Sequence, residues 1–236
     1  MSGPSATSPG DSADLPPARH AYREELEQLR LQVELMGVRV DENLERMRRV
    51  LADGDAGVVA AALATDDDID AMNVSLTERC YSILGLESPV AGDLRLVVSV
   101  LRVIGELERI GDLALRVIKL APRFGLLTAD DASHDILCVM ATEATERFRL
   151  ALQAWAALDL GVATALTTPS AAVDLAMDHL TRRIRALSGP SAVDEALVLT
   201  TAARAVDRIA DHTLVLGARV RYLITGDSAH LAVEVR

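Results

Sequence analysis

ESPVAGDLRLVVSVLRVIGELERIGDLALRVIKLA, residues 87–121, carries apolar side chains at three- and four-residue intervals and runs into Pro122. That spacing paints one face of an α-helix, and proline, which has no N–H to donate, stops it. Inside the stretch lies Glu108-Arg109-Ile110-Gly111-Asp112. The same order of acid, Arg, Ile, small residue and Asp returns 99 residues later as Asp207-Arg208-Ile209-Ala210-Asp211. A pattern repeated at domain-scale separation marks an internal duplication. The small fourth residue lets a neighbouring helix or a ligand come close.

Working outward, Leu26, Leu29, Val33, Met36 and Val40 place a first amphipathic helix at about 20–52, closed by the Asp53-Gly54-Asp55 turn. Val58, Leu63, Ile69, Leu76 and Ile83 carry a second helix as far as Gly85 and Pro89, and the opening stretch is the third, about 91–121. The punctuation then repeats, giving helices at about 128–159, 161–187 and 191–225, divided at Gly161 and at Ser188-Gly189-Pro190. Short connections make successive helices antiparallel neighbours. The fold class is therefore all-α, two tandem three-helix bundles at 20–121 and 128–227. A Ser/Pro/Gly-rich extension at 1–19, expected to be disordered, precedes them, and a tail at 228–236 follows.

Composition narrows the function. Half the residues are hydrophobic and only 3% aromatic, so the apolar mass is Leu, Val, Ala and Ile, the types that pack helices. A net charge of -11 argues against a nucleic-acid binder, which needs a basic stripe to displace counterions. No run of about 18 uncharged apolar residues occurs, so no membrane insertion is expected. The N-terminus has no apolar signal region, which points to a cytoplasmic protein. Cys80 and Cys138 form no CxxC pair and read as reduced core or boundary residues. Trp155, Met36, Met47 and Met140 fit core packing. No phosphate loop, nucleophile elbow or HExxH motif is present, and the chain reads as no enzyme.

The acids are the candidate site. At about 100° per residue, Glu108 and Asp112 stand on one line of their helix, a turn apart. Val97, Leu101, Ile104, Leu115 and Leu94 lie within about 40° of it, so the acids border the apolar stripe. Reflecting the chain through the turn near residue 88 sets Glu108 level with about residue 68, where Asp66, Asp67, Asp68 and Asp70 lie. A second reflection brings Asp41, Glu42 and Glu45 to similar height. In the second half Asp207 and Asp211 face Asp174 and Asp178, with Glu143 and Glu146 on the fourth helix. Carboxylates so placed are costly unless they are protonated or meet a cation. Arginines of neighbouring helices would serve, and so would a bound divalent or trivalent metal such as Fe, Mn, Zn or Mg. Asp131-x-x-His134, His179 and His212 read as cap, surface or boundary residues.

With ESPVAGDLRLVVSVLRVIGELERIGDLALRVIKLA, EELEQLRLQVELMG in the first helix, the DDDID run and DRIADHTLVLGARVRYLITGD near the C-terminus, the chain resembles the PhoU family of phosphate-signalling regulators over about residues 20–227. The resemblance implies two three-helix bundles and metal clusters held through the repeated E(D)xxxD motif, at Glu108 and Asp112 and at Asp207 and Asp211, with Asp66, Asp70 and Asp174 as further ligands. It also implies a homodimeric cytoplasmic adaptor, recruited to the membrane by a transporter complex, that restrains the phosphate-starvation response. Its partners would be the ATPase of the phosphate ABC transporter and a sensor histidine kinase. The second motif departs from the commoner form in having Asp207 for Glu, Ala210 for Gly and Ser170 where the first copy has Asp66, so the first site should bind better. A di-metal oxidase or hydrolase is the alternative, although the Glu-x-x-His spacing of ferritin-like sites is missing.

Overall fold

A computed structural model describes residues 17–235; the 1–16 part of the expected extension lies outside the described residues. The described chain is helical throughout. α1 (Pro17–Asp53), α2 (Val59–Leu86) and α3 (Ala91–Ile118) form the first repeat. After the short α4 (Phe124–Leu127), α5 (Asp131–Ala157), α6 (Leu160–Leu166), α7 (Ala171–Ala186) and α8 (Ala192–Thr225) form the second. α1 begins three residues earlier than expected because Pro17, with φ already near the helical value, suits the first turn.

The expected helix at 161–187 is two helices. Pro169 cannot donate within a helix, and Ser170 starts α7 afresh as its N-cap, its hydroxyl accepting from the Val173 N–H at 3.4 Å. Asp159 caps α6 in the same way through the Gly161 and Val162 N–H groups. By length and composition alone residues 160–186 would suffice to cross a membrane, but the break at 167–170 divides the segment into two helices that pack against α5 and α8. The tail also differs from a loose end: Ser228–Val235 forms a 3-10 helix lying against α8.

Packing follows the stripes. Leu29, Val33, Met36 and Val40 are fully buried and Leu26 nearly so. On α2, Ile69, Leu76 and Ile83 are buried, whereas Leu63, expected in the stripe, is 41% exposed. Trp155, Met36, Met47, Met140 and Cys80 are core residues, and Cys138 is a half-buried free thiol. α1, α3, α5 and α8 pack on one another at the centre, with α2 lying on α1 and α3, and α6–α7 on α5 and α8. The two repeats therefore share one continuous hydrophobic core.

Candidate functional site

Gly111 sets the first site. It is buried, and a Cβ there would stand 3.3 Å from Ile69 Cδ1 and 3.8 Å from Asp66 Oδ1. The missing side chain lets α2 lie close against α3, and fully buried Ile69 fixes the register. Asp66 and Asp70, one helical turn apart, then flank Ile69 on the side of α2 toward Glu108 and Asp112. Burial raises the pKa of Glu108, and the charges of Asp112, Asp70 and Asp66 raise it further against the opposing pull of Arg109. Asp66 is raised by burial, then by Asp112 and Asp70, with Lys119 opposing. Four carboxylates from two helices thus act on each other, as the reflected register predicts.

No ion pair between described residues reaches any of these four acids. Arg109 and Lys119 act on Glu108 and Asp66 through their charge, without an ion pair between described residues. Arginine pairing does account for α1. Arg149 of α5 donates from Nε to Asp41 at 2.8 Å and from Nη2 to Glu45 at 3.1 Å, and Arg48 also reaches Glu45 at 3.0 Å. Glu42 pairs with Arg39 at 3.3 Å and Arg46 at 3.7 Å. The expectation that α1 offers carboxylates to the cluster is corrected: Asp41 and Glu45 join the two repeats and Glu42 pairs within α1, and longitudinal height did not reveal which way they turn.

The second site is thinner. Asp207 has its pKa raised by burial and by Asp211, with Asp174 adding to this and Arg204 opposing. Arg204 stands 3.9 Å from Asp207, and its own side chain is largely exposed. Ser170, the residue expected opposite Asp66, is the N-cap of α7 and donates its hydroxyl to Glu143 at 3.0 Å. That contact engages Glu143 in holding the start of α7. Glu146 and Asp178 are exposed.

Sequence reasoning missed the acid that is most deeply buried. Glu106 accepts from His212 Nδ1 at 2.6 Å and from Arg109 Nη1 at 2.6 Å, its side chain 7% exposed and that of His212 13%. Burial pushes the Glu106 carboxyl up, but the hydrogen bond and charge of His212, with Arg109 and Arg102, overcome it and hold the pKa below the ordinary value. The pair ties α3 to α8. A signal was there to read: adding the repeat offset of 99 aligns Glu106 with Ala205 and His212 with Leu113, so both polar partners stand where the other copy is apolar. His212 is the satisfied boundary histidine expected. His134 caps α1 from the second repeat, its Nε2 donating to the Leu51 carbonyl, and Asp130 rather than Asp131 caps α5.

Among the described residues no three His, Cys, Asp or Glu side chains are drawn together as a group able to hold a metal ion. The donor chemistry nonetheless suits a hard cation: half-buried Asp66 and Glu108 and exposed Asp70 and Asp112 repel one another from two helices, with no ion pair to them among the described residues. The arrangement is an acidic face rather than a closed coordination shell.

Comparison with known proteins agrees with the architecture. Residues 33–121 match the PhoU domain. The chain is 27% identical over 215 residues to the phosphate-specific transport system accessory protein PhoU homolog of Pseudomonas aeruginosa, covering 90% of this chain and 89% of that protein. It is 26% identical to the Escherichia coli accessory protein PhoU, covering 87% of this chain and 86% of that one. A crystal structure of PhoU from Pseudomonas aeruginosa superposes with a TM-score of 0.82 at 27% identity, over 87% of this chain and 100% of that one. The regulatory protein PhoU of Streptococcus pneumoniae, at 21% identity and TM-score 0.77, shares the fold over 87% of this chain and 98% of its own.

Proposed function

Since the chain carries a PhoU domain on the fold of solved PhoU proteins, we propose that it is an accessory regulator of phosphate transport, an adaptor and not an enzyme, that acts by protein contact. Its partners in this reading are the ATPase of a phosphate ABC transporter and a sensor histidine kinase. It works in the cytoplasm, as a homodimer recruited to the transporter, and holds the phosphate-starvation response down while phosphate is plentiful. The observation that carries the reading is the acidic face made by Glu108, Asp112, Asp66 and Asp70 inside a matched PhoU domain.

A cation bound there would supply the positive charge that lets these carboxylates ionise together. Glu108 and Asp112 from α3, with Asp66 and Asp70 from α2, would hold it in the first repeat. Asp207 and Asp211, with Asp174, would do so in the second. Oxygen donors of this kind suit Mg, Mn, Fe or Zn. Because Ser170 replaces one acid and Glu143 is engaged by it, the first repeat holds its ion more tightly.

Elemental analysis after incubation with each metal tests the cation. Wild type should retain metal that the Asp112→Ala, Asp211→Ala double variant does not, and equal retention in the two ends the metal reading. Co-purification tests the adaptor: a folded sample that captures neither the transporter ATPase nor the histidine kinase ends that reading.

A further inference from the structure

α1 carries a second apolar stripe that the core does not use. Leu31, Leu35 and Val38, spaced four and three residues apart, are 45%, 59% and 52% exposed, while the core stripe on the same helix is fully buried. Beside them α1 and α2 enclose an open groove of about 410 Å³ whose walls include Leu35, Arg39, Asp68, Ala71, Met72 and Leu76. An exposed apolar stripe along a groove between two helices has the form of a surface that receives a third.

Charge chooses the occupant. The basic side chain in the wall, Arg39, is already paired with Glu42 at 3.3 Å, which leaves Asp68 and its exposed neighbour Asp67 to set the sign at the α2 rim. Residues 1–16 of this chain contain two Asp and no Lys or Arg, with little apolar content, so they match the groove in neither respect. A second copy, at a net charge of -11, brings like charge to like. We infer that the α1–α2 groove, lined by Leu35, Met72 and Asp68 and continued along α1 by the exposed Leu31 and Val38, is the docking site for an amphipathic helix of a partner protein that carries Lys or Arg beside its apolar face.

The inference rests on the adaptor reading for the existence of such a partner, and it adds a consequence. Asp68 lies in the same stretch of α2 as Asp66 and Asp70, so a helix seated in the groove rests on the outer side of the α2 turn that forms the acidic site.

The test uses the full chain and a 16-residue synthetic helix with leucines at i, i+3, i+4 and i+7 flanked by lysines, read by fluorescence anisotropy. The control is the same peptide with every Lys replaced by Glu. Leu35 is exposed, so Leu35→Asn leaves the core intact, and circular dichroism confirms the fold. The lysine peptide should bind wild type, lose about tenfold or more in affinity to Leu35→Asn and to Asp68→Lys, and outcompete the glutamate peptide. Equal binding of the two peptides, or variants that bind like wild type, would overturn the proposal. So would a dimer in sedimentation that Leu35→Asn splits, because the groove would then belong to a second copy. Capture of the transporter ATPase and kinase separates the two readings: capture undiminished by Leu35→Asn removes the groove and leaves the adaptor standing, whereas no capture by wild type removes the adaptor itself.

Discussion

Glu108 and Asp130 are both carboxylates at helix surfaces, and their surroundings push them in opposite directions. Burial and then Asp112, Asp70 and Asp66 raise Glu108. A group raised in the fold contributes stability that is fully present below its unfolded pKa and is lost as pH rises through the folded value. In chelator, Glu108→Gln should therefore melt above wild type at pH 7, by roughly 0.5 kcal/mol from the i,i+4 repulsion alone, and the gain should vanish as pH falls toward 4. If the acidic face holds a cation, adding metal reverses the order, because wild type gains from the first repeat what the variant has lost. Thermal melts in chelator and in metal at two pH values decide both points. Asp130 runs the other way: the Arg183 hydrogen bonds and those of Ser133 hold it down at about 2. The guanidinium is bidentate, Nε to Oδ2 at 2.8 Å and Nη2 to Oδ1 at 2.6 Å, and ties α7 to the start of α5. Its contribution is present above the unfolded pKa and lost as pH falls through about 2. Asp130→Asn keeps an N-cap oxygen and loses the ion pair. It should cost about 0.5–1 kcal/mol at neutral pH, a difference that closes between pH 4 and 2 in urea titrations.

At the scale of the helix, two glycines show why the same residue type carries different demands. Gly217 of α8 crosses α6 so closely that a Cβ would stand 2.8 Å from Leu166 Cβ and 3.0 Å from the Ala163 carbonyl. Neither a Cβ nor a backbone oxygen can swing aside, so Gly217→Ala should cost about 1–3 kcal/mol. At Gly111 the nearest atom is the end of Ile69, 3.3 Å away, and the second repeat carries Ala210 at the matching place. Gly111→Ala gains up to about 1 kcal/mol of helix propensity and should melt at or above wild type. A lower melting temperature would show that the α2 approach is tighter than the Ile69 side chain can relieve. The periodicity that draws the α1 and α3 stripes is legible in sequence because burial of one face repeats every 3.6 residues. The α6–α7 break is harder to read, since Thr167, Thr168 and Ser170 continue a plausible pattern and only Pro169 interrupts it. The facing of α2 and α3 acids was legible from register alone. The diversion of Asp41 and Glu45 to Arg149 was not, because the partner sits 108 and 104 residues away on a helix of the other repeat.

For the whole molecule, the duplication in sequence does not amount to two independent bodies. α1 and α3 bury their stripes partly against α5 and α8. Glu106 to His212, Arg149 to Asp41 and Glu45, His134 to the Leu51 carbonyl, and Trp155 Nε1 to the Arg30 carbonyl at 3.3 Å all cross between the repeats. Removing the second repeat would expose the shared core and strand Glu106, whose hydrogen bond from His212 holds it ionised at 7% side-chain exposure. A fragment ending at residue 127 should therefore fail to fold alone, and the intact chain should unfold in one cooperative transition. Denaturation followed by circular dichroism and by Trp155 fluorescence tests this, because Trp155 reports the second repeat and its seam with α1, whereas the helical signal averages the whole chain. Coincident curves are expected; a Trp155 transition displaced from the helical one would mean that the repeats unfold separately, and that cation binding in one has no structural route to the other.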